Sequence, residues 1–227
     1  MRFTLIGVVT MLSSLFGSSC SRAAVDFKTF PDAKEDQSVA ADAGPQKVVL
    51  AGGCFWCTEG VFEQIPGVTN VVSGYAGDTK ANADYGKVSN HETKHAEAIE
   101  VTYDPAKITL GKVLKVFFSV AHDPTTLDRQ GGDVGSQYRS AVFFANEDQK
   151  RIAKAYIDQL NSAGVFPSPV VTMLEPLVEF FPAEEYHQDY VKKNPTAGYV
   201  VQAALPKVAK AKKAAAELSA TTQPAGR

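Results

Sequence analysis

The sequence predicts an α+β domain built as a two-layer sandwich. Three observations predict it. Short apolar runs with strand spacing are interleaved with longer runs of helical spacing, in mixed order. Turn pairs such as Pro66-Gly67 and Asp104-Pro105 punctuate them. Two long polar loops interrupt the pattern, one from after Tyr75 to about His95 and one over 122–139. Loops of that length are where function usually sits.

The elements follow in order. Val48-Val49-Leu50-Ala51, stopped by Gly52-Gly53, reads as a buried strand. From Cys54 to Ile65 the apolar positions 54, 55, 61, 62 and 65 suit a helix that ends before Pro66. Val68 to Tyr75 reads as a strand. Ala96 to Tyr103 alternates and reads as another, ended by Asp104-Pro105. Leu110 to Ala121 places Val113, Val116, Phe117 and Val120 on one helical face. Ser140 to Ala145 is a predicted strand and Glu147 to Ala163 a predicted helix. Val170 to Phe180 reads as a strand, and Ala183 to Lys193 as a short helix. This order predicts a split βαβ (ferredoxin-like) core with long functional loops.

The chain has 227 residues, enough for one sizeable domain with tails. Hydrophobic residues make up 44%, which supports a real core. Lysine and arginine total 23 against 25 acidic residues, so the net charge of -2 excludes a strongly basic nucleic-acid footprint. Arg2 followed by the apolar stretch Phe3–Phe16 and small residues has the pattern of a secretory signal over residues 1–23. It is compatible with cleavage after Ala23 or with lipidation of Cys20. Either ending predicts an exported, extracytoplasmic protein, in the second case anchored to a membrane. Residues 24–46 lack periodicity and read as a linker. Residues 206–227 are rich in Ala and Lys without an apolar stripe, and read as a flexible, solvated tail. The folded domain is then expected over 47–205, as a monomer.

Of the three cysteines, Cys20 belongs to the export segment. Cys54 and Cys57 form Cys-Phe-Trp-Cys at a predicted helix start, directly after Gly52-Gly53. A helix N-terminus lowers a thiol pKa, and residues three apart on a first turn face one another. The spacing fits a redox pair. It also fits a structural disulfide, although so small a loop constrains the unfolded chain little. A four-sulfur zinc site is excluded because no second pair exists. Phe55 and Trp56, the only tryptophan, form an aromatic wall beside the thiols or else fill the core. On the strand 96–103, Glu97 shares the face of Ile99, Val101 and Tyr103. Buried there, its carboxyl would stay protonated and act as a general acid; at the strand end it would instead reach solvent. His91-Glu92-Thr93-Lys94-His95 matches the zinc-protease pattern HExxH, but its flanks predict a loop rather than the helix such chemistry needs.

The ordered set of motifs resembles the A-type peptide methionine sulfoxide reductases over about 48–195. Its carriers are Gly53-Cys54-Phe55-Trp56, Gly74-Tyr75-Ala76-Gly77, Tyr85 with Val88, and His95-Ala96-Glu97-Ala98. They continue with His122-Asp123-Pro124-Thr125, Arg129-Gln130-Gly131, Gln137-Tyr138-Arg139-Ser140 and Ala183-Glu184-Glu185-Tyr186-His187-Gln188. Departures are Asp78, His91, Glu92, Lys94 and Asp128, all expected around the rim of the site. The resemblance implies thiol-dependent reduction of methionine S-sulfoxide, free or in proteins, and so repair of oxidised proteins under oxidative stress. It implies Cys54 as nucleophile, passing through a sulfenic acid. Glu97, Tyr85 and Tyr138 would bind and protonate the sulfoxide oxygen, Phe55 and Trp56 would hold the S-methyl group, and Asp133 would give polar support. Cys57 is implied as the partner in a Cys54–Cys57 disulfide. No metal or other cofactor is implied; thioredoxin or a similar dithiol would supply the electrons.

Overall fold

The computed structural model describes residues 26–38 and 43–222. The signal-like segment, Cys20 included, lies outside the described residues, so neither of its two endings is visible.

Strand β1 (Gln46–Gly52) runs through the middle of the sheet. Its alternation sends Val48 and Leu50 to one face and Val49 and Ala51 to the other, all buried. Helix α1 (Phe55–Phe62) follows, then β2 (Val68–Ala76), the short helix α2 (Tyr85–Ser89) and β3 (Ala96–Tyr103). Helix α3 (Leu110–Val116) continues as a wider turn over Phe117–Ala121. The short strands β4 (Arg129–Gln130) and β5 (Asp133–Val134) pair with each other. Strand β6 (Ser140–Phe144) and helix α4 (Glu147–Ser162) come next. The chain ends through β7 (Met173–Pro176), β8 (Phe180–Pro182), α5 (Tyr190–Lys193) and α6 (Leu205–Thr222). Side chains of Asp84, Thr109 and Asn146 accept backbone N–H groups at the starts of α2, α3 and α4, satisfying donors that helix geometry leaves open.

The main sheet has the order β7-β6-β1-β3-β2-β8. Every neighbouring pair is antiparallel except β6 with β7, which is parallel. The helices cover one face, where Leu50, Ile99, Val101 and Tyr103 pack with Phe62, Leu114, Phe117 and Tyr156. The other face is small-residue packing, Ala51, Ala98 and Ala141 with Val49 and Phe143, beneath Leu177 and Phe180.

Four expectations differ from the structure. The predicted strand Val170–Phe180 is two strands on opposite edges of the sheet. Pro176 has no N–H to continue a ladder, and the chain crosses the alanine face instead, Leu177 donating its N–H to the Phe144 carbonyl at 2.8 Å. The predicted helix Ala183–Lys193 is broken. A tight turn, Glu185–His187, is separated from α5 by Asp189 at φ 54°. Between them Gln188 grips the backbone of Ser73 on β2, accepting its N–H and donating to its carbonyl, each at 2.9 Å.

The residues read as a linker include a docked strap. Phe30 is buried in the main core, and Tyr156 donates its hydroxyl proton to the Pro31 carbonyl at 2.6 Å. Asp32 pairs with Lys112 and Lys115 at 2.8 and 2.9 Å, and Asp36 accepts from the Gly111 N–H and the Thr109 hydroxyl. Glu35 adds an ion pair with Arg151 at 2.6 Å, and Gln159 bonds the backbone of Asp32 and Lys34; scattered anchors of this kind do not register as periodicity. Last, the stretch read as a solvated tail is mostly helix α6, with Val208, Ala211, Ala214 and Leu218 buried at helical spacing. Its stripe is half alanine, so contrast with the flanking residues is weak. The small stripe lets α6 approach closely: a Cβ at Gly60 of α1 would lie 3.2 Å from Val208. Among the described residues no helix is long and apolar enough to cross a membrane.

Candidate active site

The end of β1 and the start of α1 build the centre of the site. Gly53 turns the chain at φ 85°, a conformation that favours glycine. A Cβ there would also meet Gln130 at 2.4 Å. Gln130 is itself held by its Nε2 donating to the Asp123 carbonyl at 2.6 Å, so the 122–139 loop is folded tightly against this turn. Cys54 then occupies the N-cap position of α1, and Cys57 follows on the first turn. Both are free thiols and both are buried.

Glu97 sits on β3 directly opposite Tyr75 of β2 and faces the helices, the buried alternative of the two expected. It is 2% exposed. Its Oε2 accepts the Phe55 N–H at 3.0 Å, so the carboxyl is tied to the opening turn of α1. Burial pushes the Glu97 pKa up to about 8. The Phe55 N–H pulls it back, while Asp133 and Cys57 add to the rise. The group is therefore protonated at neutral pH.

The thiols differ from expectation. Burial first, then the hydrogen bond to Cys57 and the field of Glu97, push the Cys54 thiol above its ordinary value. The helix N-terminus does not overcome this. Cys57, accepting from the Cys54 thiol, is held down to about 7 against its own burial, with Lys207 and Tyr199 assisting. In the resting pair the Cys54 thiol donates to the Cys57 sulfur.

A cavity of about 190 Å³ opens on this centre, lined by Cys54, Phe55, Trp56, Tyr85, Glu97, Asp133, Tyr138 and Tyr199. Seven of those eight were singled out from the sequence. The eighth expected residue, Cys57, lies outside its lining and opens instead on a larger groove. Tyr199 stands between the two. It donates to Asp133 Oδ2 at 2.6 Å, and its hydroxyl is 3.8 Å from Cys57 Sγ. Burial raises its pKa far above the ordinary phenol range, so it remains a donor. Burial and Glu97 likewise raise Tyr85 and Tyr138.

The aromatic wall is held from behind. Trp56 donates its indole N–H to His187 Nδ1 at 3.0 Å and stacks on Tyr190, with ring centres 3.7 Å apart and planes 8° apart. Phe55 packs on His187 and Tyr75 at 4.9 and 5.9 Å. Glu184 joins two pieces of the wall, accepting the Tyr75 hydroxyl at 2.8 Å and the Tyr85 N–H at 3.1 Å. Sequence reasoning missed Tyr190, Tyr199 and the bridging role of Glu184. The aromatic segment 180–190 was a visible signal for the first, whereas nothing near Tyr199 in sequence marks it.

Three further expectations are placed by the geometry. His91 sits in a turn at φ 62° and contacts Gln137 Oε1 at 2.9 Å, while His95 is buried with Nε2 3.0 Å from the Thr79 carbonyl. The HExxH segment is thus no helix, and its two imidazoles serve separate loop contacts. Among the described residues no group of three or more His, Cys, Asp or Glu could hold a metal. Asp78 organises the same loop: it accepts from the Thr79 and Lys94 N–H groups and from Asn82, and the two backbone donors hold its carboxyl down to about 2.

Comparison with known proteins agrees with this arrangement. The family model described as peptide methionine sulfoxide reductase matches residues 46–219. Peptide methionine sulfoxide reductase MsrA 2 of Mesorhizobium japonicum is 51% identical over 76% of this chain and 88% of its own length. The MsrA of Deinococcus radiodurans is 48% identical over 77% and 84% respectively. Among solved structures, reduced Mxr1 from Saccharomyces cerevisiae superimposes with a TM-score of 0.61 at 35% identity, over 70% of this chain and 91% of that one. Methionine sulfoxide reductase A of Corynebacterium diphtheriae gives 0.56 at 33% identity, over 68% and 77%. Cys54, a neutral buried carboxyl and an aromatic wall meet at one cavity with the second thiol just outside it, and the chain belongs to the peptide methionine sulfoxide reductase family, oxidoreductases that reduce methionine sulfoxide with thiols.

Proposed function

We propose that Cys54 is the nucleophile of a methionine S-sulfoxide reductase and that Glu97 is its general acid. The observation that carries this reading is that the Cys54 thiol and the protonated Glu97 carboxyl open on one cavity walled by Phe55 and Trp56. The S-methyl group packs on the two rings, which favour sulfur and methyl contacts. Glu97, Tyr85 and Tyr138 donate to the sulfoxide oxygen and make its sulfur electrophilic. Cys54 attacks that sulfur, the oxygen passes to Cys54 and methionine leaves. The balance is sulfoxide plus thiol giving thioether plus Cys54 sulfenic acid. Cys57, with its low pKa, then attacks the Cys54 sulfur, releasing water and leaving the Cys54–Cys57 disulfide. Asp133 acts through Tyr199, fixing the hydroxyl that faces the thiols.

A thioredoxin-like dithiol restores the pair, and oxidised proteins and peptides are the substrates; both parts rest on the family. The order β6-β1-β3-β2, with α1 and α3 as crossovers, supports reading the central sheet as a ferredoxin-like split βαβ unit. Export as a monomer belongs to the same reading. The export part rests on the signal-like residues 1–23. Mass spectrometry of the mature N-terminus separates a lipidated Cys20 from a start at Ala24, and an unprocessed Met1 would reject export.

The test is reduction of a methyl sulfoxide peptide by the purified protein with dithiothreitol. Cys54→Ser is expected to abolish turnover, whereas Cys57→Ser still releases one methionine per enzyme. Wild type without sulfoxide reduction would reject the reading.

A further inference from the structure

The two cysteines open on different spaces. Cys54 lines both the small cavity and the larger groove; Cys57 lines only the groove. The groove has a volume of about 910 Å³ and runs between the 119–133 loop and α6. A space of that size is on the scale that takes a drug-sized ligand or a peptide loop. The Tyr199–Asp133 hydrogen bond separates it from the aromatic wall, for neither Phe55 nor Trp56 reaches it. Its rim is basic. Lys207 and Lys210 of α6 line it with Arg129, and neither lysine has an acidic partner among the described residues. Two acids, Asp123 and Asp133, line it as well, so three positive groups stand against two negative ones and both lysines are on the α6 side.

We propose that this groove is the entrance for the electron donor, a reduced dithiol protein whose active cysteine is ringed by acidic residues. The inference rests on the reductase reading given above. The donor thiolate attacks the Cys57 sulfur of the Cys54–Cys57 disulfide from the groove. A sulfur–sulfur bond forms between donor and Cys57, the Cys54–Cys57 bond breaks, and Cys54 leaves as a thiolate on the side of the sulfoxide cavity. The donor's second thiol then attacks the donor sulfur of the mixed disulfide. Cys57 is released, the donor is oxidised to its disulfide, and the enzyme is back in its dithiol form. Substrate and donor thus enter by separate doors, and α6 supplies the charge at the second one. Long-range attraction of this kind acts mainly on encounter and fades with salt.

The experiment compares wild type with Lys210→Glu and with Arg129→Glu/Lys210→Glu, which leave Lys207 and its effect on Cys57 in place. Each is driven by a purified thioredoxin with its NADPH-dependent reductase. The pre-reduced enzyme without donor is the control, read as methionine released per enzyme. We expect full methionine release from all three proteins. The KM for thioredoxin is expected to rise about fivefold in the single variant and further in the double, with a weaker salt dependence. Unchanged KM and salt dependence in both variants overturns the inference. So does a charge effect that appears when glutathione is the donor and not with thioredoxin. Absence of methionine release from pre-reduced wild type would instead reject the reductase reading itself, so the two failures are distinguishable.

Discussion

At the scale of single residues, the site works by keeping a carboxyl neutral. Glu97 is protonated up to a pKa of about 8, so its acid form is lost above that pH. The expected pH profile of kcat/KM falls on the alkaline side near 8, and Glu97→Gln removes that limb while retaining part of the activity. Glu97→Ala is expected to lose most of it, and equal activity of the three proteins would remove Glu97 from the chemistry. The same shift has a stability consequence of definite sign. The folded state holds this proton more tightly than the unfolded chain does. Its stabilising effect is full below the ordinary glutamate pKa and is lost as pH rises from there through about 8. Chemical denaturation at pH 8 should therefore find Glu97→Gln more stable than wild type by on the order of 4 kcal/mol, and the two should converge near pH 4. His122 runs the other way. Burial takes its pKa down to about 3, with its Nδ1–H given to the Phe117 carbonyl and Nε2 accepting from the Ser140 hydroxyl. It must stay neutral, and its contribution is lost as pH falls below the ordinary histidine value.

Among the elements, β3 and α6 mark the two ends of what could be read without a structure. Alternation along Ala96–Tyr103 gave the strand, its ends and the face of Glu97, because large apolar residues fill one face while alanines, a glutamate and a threonine fill the other, although both faces are buried over Ala96–Ile99. Helix α6 buries alanines, and an alanine is equally at home exposed, so the docked face left no contrast to read. Ala211→Asp places a charge on that face and is expected to cost about 3 kcal/mol or more in urea unfolding, whereas the exposed Ala209→Asp should stay within about 0.5 kcal/mol. The 122–139 loop shows a middle case. Its glycines and polar residues announced a tight fold, but which side chain it offered to the thiols depended on Tyr199, sixty-six positions from Asp133. No local pattern encodes a partner at that separation.

Across the whole molecule, the cavity is lined from the starts of α1, α2 and β3, from the 122–139 loop and from Tyr199 between α5 and α6, gathered because β1 and β3 lie side by side in the sheet. The motifs could be listed from sequence, but their convergence is a property of the strand order. The strap over residues 26–38 belongs to this scale, since it ties the beginning of the chain to α3 and α4. Phe30→Ala is expected to lower stability by about 3 kcal/mol while leaving sulfoxide turnover at low temperature unchanged, which thermal unfolding and a dithiothreitol assay would check.

The strap also sets the length of a leash. Its described part begins at Asp26, six positions after Cys20. Six extended residues span at most about 20 Å. A lipid on Cys20 would therefore keep the enzyme skimming its bilayer, within reach of oxidised methionines on the outer parts of membrane proteins and of little else, whereas release after Ala23 would free it to diffuse.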